Sequence, residues 1–163
     1  IITVINNKFN VWSKSYHKFG AGLNYKAFPI KACDFLKGLG WKGKIFNQMG
    51  TGGYLVWVGY PDWKIYADGR LEVYRVEGME TYKFALKDYF IFQTEELRYG
   101  FEAALLDSRE RAVRPLIDKL LLDPGWAAVY ADHLFIILLK DTKSQHHLIE
   151  KYGMKNIKVD WGK

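Results

Sequence analysis

Between residues 44 and 140 the chain alternates apolar runs of strand length with stretches whose apolar residues fall at helical spacing. Parallel strands need a crossover element between them, so this order predicts helices packed on a partly parallel sheet rather than a bundle or a β-sandwich. The expected strands are 44–47, 64–67, 101–106, 126–130 and 134–140. The last two flank only Ala131, Asp132 and His133, which predicts an antiparallel hairpin. Pro29 sits where a first helical residue tolerates a missing N–H. Ile30, Cys33, Phe35 and Leu36 then share a helical face that ends at Gly38 or Gly40. Residues 48–53 read as a glycine-rich loop, followed by a short buried helix over 54–60 that Pro61-Asp62 closes. Further helices are expected over 77–89, up to Gly100, over 115–122 from Pro115, and over 145–152. Residues 1–5 suggest a strand, 20–24 a loop, and Ile157 with Val159 a last strand.

Such layers need apolar surface. Of 163 residues, 49% are hydrophobic and 17% aromatic, which excludes a disordered chain. The single cysteine, Cys33, excludes an intramolecular disulfide framework and any multi-cysteine zinc site. No apolar run approaches the ~20 residues that span a bilayer. The expectation is one α/β domain over 28–163, three-layered and Rossmann-like, with a mixed, partly parallel sheet of about five strands. An irregular segment, 1–27, precedes it.

The net charge of +6 is unevenly placed. Residues 1–44 hold eight Lys and one acid, 45–139 ten bases and fourteen acids, and 140–163 six Lys and three acids. A basic first third reads first as a plain solvated surface, then as one suited to an anionic membrane or to nucleic acid. Its bases are all Lys and are dispersed, whereas phosphate and base recognition favours Arg, so nucleic acid is not the expected partner.

Several ordered runs carry a family likeness. Phe28-Pro29-Ile30-Lys31-Ala32-Cys33-Asp34-Phe35-Leu36-Lys37 is followed by Gly43-Lys44-Ile45-Phe46-Asn47 and then Gly52-Gly53-Tyr54-Leu55-Val56-Trp57. Lys64-Ile65-Tyr66-Ala67-Asp68-Gly69-Arg70 comes next, with Ala103-Ala104-Leu105-Leu106 and the stretch from Asp123 to Asp132 further on. Together, over roughly residues 28–140, these resemble the soluble C-terminal domain of polytopic membrane proteins related to protein mannosyltransferase and oligosaccharyltransferase-type glycosyltransferases. The resemblance implies a transmembrane region of the same polypeptide before Ile1, an extracytoplasmic location, and catalysis by acidic residues in membrane loops outside this chain. Two features depart from the pattern: Thr51 stands where an aromatic is common before Gly-Gly, and the start is rich in lysine. Lysine beside a membrane segment favours the cytoplasmic side, which leaves the side of the membrane open.

Candidate site residues gather at the expected strand ends. Gly50-Thr51-Gly52-Gly53 lies between a strand and a helix, where backbone N–H groups hold phosphates. It lacks the spacing of a Walker or dinucleotide loop, and the favoured reading is that Gly52 and Gly53 let the helix pack tightly on the sheet. Asn47 ends the first strand. Asp68 and Arg70 flank a glycine at the carboxyl edge of the second, where open α/β sheets bind ligands. An Asp there could accept sugar hydroxyls and an Arg hold phosphate, but the favoured reading is that Asp68 closes an Asp-Gly turn, its carboxylate partly buried and tied to backbone N–H groups or to Arg70. His146 and His147, adjacent on a helix, point about 100° apart and cannot form the i, i+4 zinc pair. Cys33 has the profile of a small core residue. Pro61-Asp62 with Glu72 resembles some nuclease layouts but lacks the Lys that would follow. No metal and no cofactor is expected.

The function these readings imply is an accessory, non-catalytic domain of a membrane glycosyltransferase-like protein. It would bind or position a glycan, a lipid-linked sugar or a partner protein beside the membrane-embedded region. Two alternatives stay open. One is an independent small enzyme handling a sugar or phosphate through Gly52, Gly53, Asp68 and Arg70. The other is a structural subunit of a surface assembly, which the Tyr and Trp content suits.

Overall fold

The computed structural model describes residues 27–70 and 76–154. Along them run α1 (Ile30–Gly38), β1 (Gly43–Asn47), α2 (Met49–Gly59), β2 (Trp63–Ile65), α3 (Val76–Ala85) and α4 (Tyr89–Tyr99). Then follow β3 (Ala103–Asp107), α5 (Arg114–Leu122), β4 (Trp126–Ala131), β5 (Phe135–Lys140) and α6 (His146–Tyr152). The sequence readings of residues 1–5, of 20–24, of Glu72 and of Ile157 with Val159 lie outside the described residues.

The strands form one mixed sheet in the order β2-β1-β3-β5-β4. β1 pairs in parallel with β2 and with β3, setting Ile45 beside Ile65 and Ala103. β5 pairs antiparallel with β3 on one side and β4 on the other. The chain passes from β4 to β5 in three residues because Asp132 organises the turn. Its carboxylate accepts the N–H groups of Leu134 and Phe135 at 2.7 and 2.8 Å.

Side chains alternate across a strand, so each strand feeds both faces of the sheet. Ile45, Ala103, Leu105, Ile137 and Leu139 join one buried cluster with Leu36 of α1 and Leu55 of α2, and Leu148 and Ile149 of α6 pack against it. Phe46, Ala104, Leu106, Ile136 and Leu138 join the other, with Ala85 of α3, Phe92 of α4 and Leu116 of α5.

Two expectations need correction. Residues 49–53 are not a loop: α2 begins at Met49, directly after the single extended residue Gln48. Among the glycines of its first turns, Gly52 is packed closely, as described below, while Gly50 and Gly53 face open space. The stretch 77–89 is not one helix either. The helix α3 ends at Ala85, and Asp88 starts α4 by accepting the Phe90 and Ile91 N–H groups, the usual task of an acidic N-cap. The expected glycine stop does close α4: Gly100 adopts φ +69°, a left-handed conformation that glycine takes without a Cβ penalty. Its N–H reaches the Glu96 carbonyl at 2.7 Å.

Candidate functional site

β1 and β3 are parallel neighbours, yet the helices that follow them leave on opposite sides. α2 after β1 packs into the cluster with Leu36, whereas α5 after β3 packs into the cluster with Phe92. Where successive crossovers diverge in this way, the carboxyl ends of the two strands open a crevice, the customary ligand position of open α/β sheets. A cleft of about 500 Å³ lies there, lined among others by Gln48, Thr51, Tyr82, Lys83, Asp107 and Glu110.

Gln48 spans the floor. It is only 5% exposed, and its side-chain oxygen accepts the Asp107 backbone N–H while its amide donates to the Glu110 carboxylate. One side chain thus ties the end of β1 to the end of β3. The buried Tyr82 hydroxyl accepts the Met49 N–H at 2.7 Å, fixing the first turn of α2 to α3. The Thr51 hydroxyl donates to the Gln48 carbonyl at 2.7 Å. Asp107 accepts the backbone N–H and the Nε–H of Arg109, both at 2.9 Å. The Arg109 guanidinium also lies 5.7 Å from the centre of the Phe135 ring. Lys83 and Lys87 stand exposed on the α3 side. The crevice is therefore lined by the Asp107 and Glu110 carboxylates and by the Lys83 and Lys87 ammonium groups, with the Gln48 amide committed to joining the two strands. Carboxylates recognise hydroxyls, and ammonium groups recognise phosphates.

The residues singled out in the sequence lie on the other side of β1. Asn47 is fully buried and uses both ends of its amide. Nδ2 donates to the Gln48 and Ala67 carbonyls at 2.9 and 2.7 Å, and Oδ1 accepts the Tyr66 and Ala67 N–H groups at 3.0 and 3.2 Å. It thereby extends the β1–β2 pairing beyond Ile65. Gly52 faces the same segment: a Cβ there would sit 2.7 Å from the Asp68 Cα and run into the Ala67 carbonyl. Gly53 is exposed, with open space where a Cβ would be. The close approach belongs to Gly52 alone.

Asp68 is 4% exposed, and its carboxylate accepts the Arg70 backbone N–H at 2.9 Å and the Nε–H at 2.9 and 3.1 Å, with Nη2 adding a contact. The Arg70 hydrogen bonds hold the carboxyl below the ordinary carboxylate value, against the opposing pull of burial. The structure thus brings Asn47, Gly52, Asp68 and Arg70 together at one junction around Ala67, and leaves Gly53 on the outer face of α2. None of the five lines the crevice.

Cys33 is buried, and burial pushes its thiol up to about 12, as befits a core residue. His146 meets Asp141 at 2.9 Å across the start of α6. Among the described residues no group of three or more His, Cys, Asp or Glu is placed to hold a metal ion, and no helix is long and apolar enough to cross a membrane.

Sequence reasoning missed Gln48, Tyr82, Asp107 and Glu110. One signal was present for Asp107: it ends the apolar run Ala103-Ala104-Leu105-Leu106, as Asp68 follows the run of the second strand. No protein-family model, no curated protein and no solved structure matches the chain.

Proposed function

We propose that this chain is a Rossmann-like three-layer domain serving as an accessory, non-catalytic part of a membrane glycosyltransferase-like protein, and that the crevice between β1 and β3 receives a glycan or lipid-linked sugar. The observation that carries the reading is the lining of that crevice. Carboxylates suited to hydroxyls share that lining with ammonium groups suited to the phosphate of a lipid carrier. The ordered motifs over residues 28–140 support the family context. The two buried clusters, one on each face of the sheet, and the short β4–β5 connection support the layered architecture with its hairpin. In this reading the partner is the membrane-embedded region of the same polypeptide, on the extracytoplasmic face, and the domain positions its sugar ligand for chemistry done there.

The test is calorimetric titration of the full chain with a panel of oligosaccharides and short-chain prenyl-phosphate sugars. Binding is expected, and Asp107→Asn or the pair Lys83→Ala and Lys87→Ala should weaken it while the melting temperature stays within error for the lysine pair. No binding to any member of the panel, or binding that ignores all three substitutions, would refute the proposal.

A further inference from the structure

Among the described helices α2 alone has no charged residue along its length, Met49-Gly50-Thr51-Gly52-Gly53-Tyr54-Leu55-Val56-Trp57-Val58-Gly59. Its inner face is accounted for by buried Thr51, Gly52, Tyr54, Leu55 and Gly59. Its outer face holds Gly53, Val56 and Trp57, continuing to Tyr60 beyond the last turn. Trp57 is 69% and Tyr60 80% exposed. A helix that is apolar all round is normally covered on every side. Other exposed apolar side chains are interleaved with polar ones: Phe84 stands beside Lys83 and Lys87, and Leu97 beside Arg98. The face of α2 has no such neighbours on its own helix.

We infer that this face is a docking surface for an anionic lipid bilayer, with Trp57 and Tyr60 entering the interface. Three observations favour that occupant. The first is chemistry: Trp and Tyr are the side chains that settle at the headgroup level, with an apolar body and a polar tip. The second is charge. The stretch from Ala27 to Lys64, which brackets α2, carries five Lys against two Asp. Lys31, Lys37 and Lys64 are exposed and outnumber the exposed Asp34. Asp62, two residues beyond Tyr60, is itself paired with Lys42 at 2.9 Å. The third is size. Trp57 and Tyr60 together offer about 300 Å² of mostly apolar surface, less than the roughly 450 Å² of apolar surface within each partner's ~800 Å² share of a stable protein interface. A second copy of the chain would also bring its own net charge of +6. An interfacial anchor needs only a small apolar area reinforced by attraction to anionic headgroups. The crevice plays no part in this: Trp57 lies at the far end of α2, about 10 Å along the axis from Gly50.

Flotation of the full chain with liposomes tests it, comparing phosphatidylcholine alone with phosphatidylcholine containing phosphatidylglycerol. The wild type should float with the anionic vesicles. The double variant Trp57→Ser, Tyr60→Ser should lose about tenfold or more in partitioning. Leu122→Ser, which removes an equally exposed leucine elsewhere, should float as the wild type does. Both sites are exposed, so melting temperatures should stay unchanged and a loss of flotation reports the surface. The inference is overturned if the wild type floats with neither vesicle or equally with both, or if the double variant floats as well as the wild type. It is also overturned if sedimentation shows a dimer that the double variant abolishes while no vesicle is bound.

Discussion

Replacing Asn47 with alanine should remove the stitch that joins β1 to the segment after β2. Four hydrogen bonds disappear, but their partners do not suffer alike. The Tyr66 N–H keeps the Ile45 carbonyl at 2.9 Å, and the Gln48 carbonyl keeps the N–H and hydroxyl of Thr51 at 3.0 and 2.7 Å. The Ala67 N–H and carbonyl, in a fully buried residue, lose the partner that satisfied both. Two orphaned buried backbone groups at about 1–3 kcal/mol each predict a loss of about 2–6 kcal/mol. That is a large share of the ~5–15 kcal/mol that holds a typical domain folded. With a urea dependence of about 2 kcal/mol per molar, the unfolding midpoint should fall by about 1–3 M. Urea titrations followed by tryptophan fluorescence and by far-ultraviolet circular dichroism give the midpoint and check that one transition is seen. A midpoint shift under about 0.5 M would show that Asn47 is not holding this junction.

Further outcomes are expected at neighbouring positions. Gly52→Ala should destabilise the domain by about 1–3 kcal/mol through overpacking against Ala67 and Asp68, whereas exposed Gly53→Ala should leave stability unchanged or raise it by up to about 1 kcal/mol through helix propensity; equal melts for the two would contradict the packing. The folded-state pKa of Asp68 lies below its unfolded value, so its contribution is present above the unfolded pKa and is lost as pH falls through the folded one. Asp68→Asn should accordingly flatten the acid limb of a stability–pH curve, and an unaltered limb would remove the Arg70 pairing as its cause. Cys33, buried with its thiol pushed up to about 12, should resist iodoacetamide at mildly alkaline pH in the native protein and react on unfolding; rapid native labelling would contradict its burial.

What could be read from the sequence was local. Pro115 and the glycine after Tyr99 marked real helix ends, and the alternating order of runs pointed to the parallel pairing of β1 with β2 and β3. The start of α2 was misread because Gly50, Gly52 and Gly53 weigh against a helix by propensity. The tertiary contact that sequence does not show is at Gly52, where only glycine lets the helix lie against Ala67 and Asp68. Asp88 went unnoticed because the apolar spacing around it runs across the break between α3 and α4. The crevice was the least legible feature. Gln48 meets Asp107 and Glu110 across 59 and 62 residues of sequence, and only the adjacency of β1 and β3 brings them together. Asp68 and Arg70 stood out instead because an Asp-Gly turn after an apolar strand is a strong local signal. The same turn chemistry ties them to each other.

Amide chemical shifts of the isotope-labelled chain, recorded while a short-chain prenyl-phosphate sugar is titrated, test the crevice most directly. If the ligand enters between β1 and β3, the shifts concentrate at Gln48 to Thr51, at Lys83 and Lys87, and from Asp107 to Glu110. The Asp68 to Arg70 turn stays still. Shifts centred on Asp68 and Arg70, or none at saturating ligand, would contradict the assignment of the ligand to this crevice.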